Sequence, residues 1–371
     1  MKKVTACLVT GALALAVLAP VAPAFAATDP SVASDASGLQ SRLDRLTSED
    51  GMAGALGHVR DADGVTTTLA SGTSDRSTGA PMVGPEGRFR VASMTKPILA
   101  ATVVRLAERG RIDLDAPVER YLPGVVRGTG DGAGTDGRRI TVRMLLQQTS
   151  GLREYTDVVA WKEPYPDFLK VALARTPTRR GEFAYANTNY LVLGMIVQAV
   201  TGKDFRRASA ELVLKPYGMR DSYWPAKGDN GLRGPHARTY GVSPASPEAG
   251  EVDLTDQLPT YLFGASGGLI STPADLNRFW NRAPLSELAG RTVPIKQDGW
   301  PAGSRYGKGV ARAKLSCGYA WFHGGDMPGA SVISGRDRAG RTATVYVTGL
   351  AATPKQREHL FAAFDAAICA K

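Results

Sequence analysis

Short apolar runs bounded by turn residues mark the two ends of this chain, whereas its middle repeats apolar positions at helical spacing. Met52 to His58 and Thr66 to Ala70 read as two strands around an Asp-Ala-Asp-Gly turn at residues 61–64. Near the other end, Ala320 to His323, Ala330 to Ser334 and Ala343 to Gly349 read as strands, and a last helix follows from Lys355 to Ile368. Between them, Ile98, Leu99, Val103, Leu106 and Ala107 fall close to a helical period that stops at Gly110. Pro97 fits the first turn of that helix, where a missing N–H is not needed.

The rest of the middle follows suit. Thr141 leads a short helix to Gln148, and Asn189 to Val200 forms an amphipathic helix ended by Thr201-Gly202. Thr272 and Pro273 suit the N-cap and first residue of a helix from Ala274 to Trp280. Residues 128–137, with five glycines, read as an exposed loop, and Ala27 to about Arg45 as a surface arm or early helix. The β-rich ends are expected to pair into one sheet. The fold class is therefore α+β: an antiparallel sheet flanked by helices, formed by 27–95 and 265–371, beside a mostly helical lobe over 96–264, with a cleft between them.

The first 26 residues stand outside that fold. Lys2 and Lys3 precede an apolar run from Ala6 to Leu18, and Ala24-Phe25-Ala26 ends it, the pattern of a secretory signal rather than a membrane span. Its loss removes two lysines and no acid, lowering the formal net charge from +10 to +8. Such a basic balance suits a solvated surface, and secondarily attraction to anionic envelope polymers. Nucleic acid is not expected as a partner, because no basic stripe is interleaved with stacking aromatics. With Cys7 in the signal, Cys317 and Cys369 remain, suited to one bridge in an oxidising compartment and spaced unlike zinc ligands. No cofactor or metal is expected.

The candidate chemistry lies in Arg90-Val91-Ala92-Ser93-Met94-Thr95-Lys96-Pro97, where one helical turn brings Lys96 under Ser93 and gives an alcohol nucleophile a built-in base. Alone, that spacing is common. Two further elements follow in order: Tyr185-Ala186-Asn187, in a loop before the helix near Asn189, and His323-Gly324-Gly325, at the end of a strand.

Together the three elements resemble the penicillin-recognising serine hydrolases, in the branch that holds secreted Streptomyces-type D-alanyl-D-alanine carboxypeptidases, class C β-lactamases, esterases and D-aminopeptidases. Phe89 to Ser93, Arg111-Ile112-Asp113-Leu114-Asp115, and Ile140 to Arg143 running on to Thr149-Ser150-Gly151-Leu152 are also family-like, with Gln148 where many members have histidine. The resemblance spans the chain from about residue 40 onward. It implies a β-lactamase/transpeptidase-like fold, an acyl-enzyme on Ser93, Lys96 as base, and Tyr185 and Asn187 in the proton network. It further implies His323 as a network member or a source of positive potential, backbone donors of Ser93 and Asp326 as an oxyanion hole, and Gly324, Gly325, Tyr155 and Tyr261 along the substrate. The bridge between Cys317 and Cys369 matches the same branch.

One departure separates machinery from specificity. The carboxypeptidase branch has a threonine after the histidine and another hydroxyl two further on, whereas this chain has Gly324 and Asp326. A carboxylate at 326 opposes a substrate's C-terminal carboxylate, and Ala311 stands where an arginine is expected, with Arg312 beside it. The leading expectation is a secreted serine D-Ala-D-Ala carboxypeptidase-like hydrolase acting on cell-wall stem peptides or similar small peptides, amides or esters. An esterase, D-aminopeptidase or β-lactamase is the alternative within the family, with β-lactams as ligands. A non-catalytic envelope-binding protein is the alternative outside it.

Overall fold

The computed structural model describes residues 30–159, 161 and 163–370, with side chains from Ser37 onward. The signal segment lies outside the described residues. Nine antiparallel strands form one sheet: β1 (Gly54–Arg60), β2 (Thr66–Asp75), β3 (Ala80–Pro81), β4 (Val293–Pro294), β5 (Arg305–Tyr306), β6 (Ala311–Leu315), β7 (Gly318–Met327), β8 (Ala330–Asp337) and β9 (Thr342–Val347). Their order is β3-β2-β1-β9-β8-β7-β6-β5-β4, so the two ends of the chain meet where β1 pairs with β9.

Alternation along the central strands divides two cores. Ala55, Ile333, Val345 and Val347 face the helices α1 (Pro30–Ser48) and α5 (Pro354–Cys369), where Leu43, Leu46, Phe364 and Ile368 cover them. Leu56, Val332 and Tyr346 face the opposite side and join the larger core. Because both faces are covered, every residue of β9 is buried, whereas β2 near the edge is largely open.

The larger core is built around α2 (Thr95–Glu108), whose residues from Thr95 to Val104 are all buried. α3 (Asn187–Thr201) packs against it, while α4 (Pro273–Arg282) lies on the sheet, with Phe279 and Trp280 joining the same core. A helix enclosed over most of its length belongs at the centre of a lobe rather than on its surface.

Of the two readings of the start, arm or early helix, the structure shows the helix, from Pro30. Several other expectations change in detail. The strand expected over Ala320 to His323 continues to Met327, so Gly324, Gly325 and Asp326 lie within β7 rather than after it. The helix expected from Asn189 begins at Asn187. The glycine-rich stretch 128–137 is not simply exposed: Gly132, Thr135 and Gly137 are buried, and the Gly132 backbone lies against Leu173 and Arg175. Cys317 and Cys369 are bonded, joining the start of β7 to the end of α5. Among the described residues no helix is long and apolar enough to cross a membrane.

Candidate active site

The approach to Ser93 is held by a buried cation. Phe89–Arg90 pairs with Ile270–Ser271, and the fully enclosed Arg90 donates to Thr260 Oγ1 at 2.7 Å and to the carbonyls of Asn230 at 2.5 Å and Thr255 at 2.7 Å. The chain then turns through Ala92 at φ 46°, a left-handed conformation unusual for a residue with a Cβ, into a 3₁₀ turn over Ala92–Met94 and directly into α2. Ser93 thus sits at the positive end of a long helix.

Lys96 lies one turn on, with no exposed surface. Its Nζ is 2.8 Å from Ser93 Oγ, 2.7 Å from Asn187 Oδ1 and 2.8 Å from the Ser266 carbonyl. The two carbonyl-type oxygens only accept. A neutral amine gives them its two N–H groups and turns its lone pair to the serine hydroxyl, which donates. Burial pushes the Lys96 pKa down from 10.5 to about 7, against the opposing charge of Glu154.

Tyr185 is buried beside this pair, its ring centroid 4.8 Å from Lys96 Nζ, and the Ser93 side chain acts on its hydroxyl. Desolvation drives its pKa well above 10, so it remains a phenol. Asn187 is the first residue of α3, not a loop residue as the sequence suggested.

His323 departs from part of its expected role. It is 2% exposed, its Nδ1 is 2.5 Å from the Gly324 carbonyl and its Nε2 is 3.0 Å from the Tyr306 hydroxyl. The first contact requires a proton on Nδ1, which leaves Nε2 to accept from Tyr306. Burial and Lys96 lower its pKa to about 3, so it is neutral and supplies no positive potential for a carboxylate.

Gly325 serves the nucleophile turn. A Cβ there would lie 2.3 Å from the Val91 carbonyl and 3.1 Å from Ser93 N, so only glycine lets β7 run this close to the turn. At Gly324 the nearest atom to such a Cβ is 3.6 Å away. β6 begins opposite Phe322, which leaves residues 323–327 paired on one side only, with β8. That open edge forms one wall of the cleft.

The cleft beside Ser93 holds about 200 Å³ and is bounded by Thr156, Trp161, Asn187, Pro244, Phe263 and Asp326 among others. Asp326 presents an open edge to it and accepts from Ser331 Oγ at 2.6 Å, while desolvation of its carboxyl raises its pKa. Among the described residues no lysine or arginine forms an ion pair with it. Tyr155 and Tyr261 do not line this space: Tyr155 is 1% exposed and stacked on Phe168 at 4.8 Å, and Tyr261 lies over the Arg206 guanidinium. Ala311 is buried in the sheet and Arg312 lies over Tyr319 and Trp321, so neither meets the cleft. Among the described residues no group of His, Cys, Asp and Glu is placed to hold a metal.

Some residues that organise the site carried no assigned role in the sequence. Gln148, fully buried at φ 60°, accepts Ala184 N with its carbonyl and Ala186 N with Oε1, bracketing Tyr185. Ser150 Oγ donates to Asn189 Oδ1, and Thr188 Oγ1 to the Arg153 carbonyl. The Thr149-Ser150-Gly151-Leu152 stretch is therefore a cradle for the start of α3. From outside, Gln297 Oε1 accepts Tyr185 N, and Trp300 packs against both Tyr185 and His323. Their signal in the sequence is faint, since each acts on residues far away along the chain.

Comparison with known proteins gives a consistent picture. The family described as Beta-lactamase matches residues 39–368. Esterase EstB of Burkholderia gladioli is 32% identical over 220 residues, 53% of this chain and 54% of the esterase, so the chain spans about half of that relative's length. Penicillin-binding protein 4 of Amycolatopsis lactamdurans is 29% identical over 245 residues, 65% of this chain and 61% of that protein. A D-stereospecific amidohydrolase from Streptomyces sp. superposes with a TM-score of 0.75 at 30% identity, covering 90% of this chain and 99% of its own. The D-amino acid amidase of Ochrobactrum anthropi SV3 shares the fold, with a TM-score of 0.75 at 23% identity over 90% of this chain and 98% of its own.

Proposed function

We propose, from the premise that this chain belongs to the beta-lactamase family, that it is an exported serine amidohydrolase acting on small amides that carry a free amine. The observation behind the chemistry is the three-way seat of Lys96 Nζ between Ser93, Asn187 and Ser266. Lys96 takes the Ser93 proton as Oγ attacks the substrate carbonyl. The Ser93 and Asp326 backbone N–H groups are the donors assigned to the developing oxyanion. Tyr185, still a phenol, passes its proton to the departing nitrogen and is refilled from the Lys96 ammonium. Water then gives a proton to the regenerated amine of Lys96 and attacks the acyl carbon, and Ser93 recovers its proton.

Asp326 supports the choice of substrate. A carboxylate in the cleft wall, opposed by Arg357 only through space and not by a direct ion pair, attracts an ammonium and repels a carboxylate, and His323 is neutral. Trp161, Phe263 and Pro244 suit an apolar side chain beside it. The amidohydrolase and amidase similarities favour D-configured amino-acid amides over D-Ala-D-Ala peptides. Esters are the second reading, favoured by the esterase similarity and by an acylation step that needs less help to the leaving group. Export rests on the signal pattern of residues 1–26.

A panel of a D-amino-acid amide, a simple ester, diacyl-Lys-D-Ala-D-Ala and nitrocefin tests this reading. Release of ammonia from the D-amide is the expected dominant activity. In Asp326→Asn, KM for the amine-bearing substrate should rise about tenfold, the effect of losing one charge-assisted contact. Release of D-alanine as the fastest reaction would overturn it in favour of a carboxypeptidase.

A further inference from the structure

Glu154 takes no part in the chemistry above, yet it is tied to three backbone N–H groups. Oε1 accepts from Tyr155 at 2.8 Å and Thr156 at 2.9 Å, and Oε2 accepts from Asn187 at 2.5 Å. The last of these is the first N–H of α3, and the residue before it, Ala186, has no side chain able to cap the helix. A carboxylate from 33 positions upstream therefore closes the positive end of α3. Two of its three partners, Thr156 and Asn187, belong to the cleft wall, and Asn187 is the residue that holds Lys96.

The other groups around Lys96 carry no charge. From the segment before α3 comes the Tyr185 ring at 4.8 Å, and from α3 itself the Tyr190 ring at 5.5 Å, both phenols displaced upward in pKa by burial. From β7 comes His323, neutral, and from the turn at Gly264–Gly267 a carbonyl. Asp326, across the cleft, acts on Tyr185. Glu154 remains as the charge that acts on Lys96.

We propose that Glu154 is the positioning residue of this site, fixing Asn187 at the head of α3 and supplying the negative charge against which the Lys96 amine is balanced. The inference rests on the serine-hydrolase reading above but not on its choice of substrate. Without Glu154, the N–H of Asn187 loses its acceptor and Oδ1 is free to drift from Nζ. The remaining desolvation then acts on Lys96 unopposed and favours its neutral form further.

The test is a titration of the full-length chain. Lysine labelled at ¹³Cε and assigned through Lys96→Met reports the ionisation of Lys96 directly, with no substrate present. In Glu154→Gln, which keeps one acceptor oxygen and loses the charge, the Lys96 midpoint should fall by about one pH unit. The acid limb of Ser93 acylation by p-nitrophenyl acetate should fall with it, while the plateau rate drops about tenfold from the loosened Asn187. Glu154→Asp, keeping the charge on a shorter arm, should restore the midpoint more than the rate. A Lys96 midpoint that does not move in a folded Glu154→Gln protein would overturn the proposal. Absence of acylation in the unmodified protein would count against the serine-hydrolase reading and leave the titration result standing.

Discussion

A lysine with no exposed surface has exchanged its hydration shell for three oxygen neighbours, and the exchange favours the uncharged amine. A fall in pKa from 10.5 to about 7 corresponds to roughly 5 kcal/mol of preference for that form. The sign of the pH dependence follows. Only the neutral amine accepts the Ser93 proton, so acylation should rise about tenfold per pH unit below 7 and level off above it. Tyr185 cannot supply that limb, because its pKa is displaced upward, away from neutrality. His323, with a pKa of about 3, titrates too low. The measurement is kcat/KM for one substrate from pH 5 to 9; a limb near 10, as for a hydrated lysine, would show that the enclosure of Lys96 is not maintained in solution.

At the scale of elements, the decisive contact is the one between β7 and the turn before α2. Gly325→Ala places a methyl group 2.3 Å from the Val91 carbonyl, backbone that cannot rotate aside. The strand must move away from Ser93 N, and two assigned oxyanion donors are carried apart with it. Acylation should fall by about 10²–10³, the usual effect of losing one such donor, while Gly324→Ala, whose methyl meets its nearest atom at 3.6 Å, should lose far less. Equal losses in the two variants, compared by rapid-mixing acylation rates, would mean that β7 is not braced in this way. The same elements show what a sequence reveals. Ser93, Lys96 and His323-Gly324-Gly325 were legible because each lies in a local pattern: a helix start, one turn of spacing, an apolar strand. Asn187 was misplaced into a loop because the group that caps α3, Glu154, is remote, and Ala186 gives no local capping signal. Tyr155 and Tyr261 carry no such local pattern, because nothing in a sequence tells an aromatic that lines a cleft from one packed beneath it. Gln148 and Trp300 act through backbone brackets and ring contacts that exist only after folding.

At the scale of the whole molecule, the chain closes on itself. β1, among the first residues of the sheet, pairs with β9, made more than 280 positions later, and α1 packs with α5 over the same face. The sheet therefore has no complete core until the end of the chain is in place, and the bridge between Cys317 and Cys369 ties that end down. With a sequence separation of 52 between the cysteines, the chain-entropy model gives a stabilisation of about 4 kcal/mol at most, acting on the unfolded chain. The bridge joins β7 at its opposite end from the site, about 20 Å of strand from His323. Replacing both cysteines with serine should therefore lower the denaturation midpoint while kcat at 25 °C stays within about twofold, because no site residue is held through the bridge. Urea unfolding followed by tryptophan fluorescence, alongside turnover at the same temperature, separates the two effects. A large loss of kcat without a matching loss of stability would place the bridge inside the catalytic machinery, contrary to its position in the sheet.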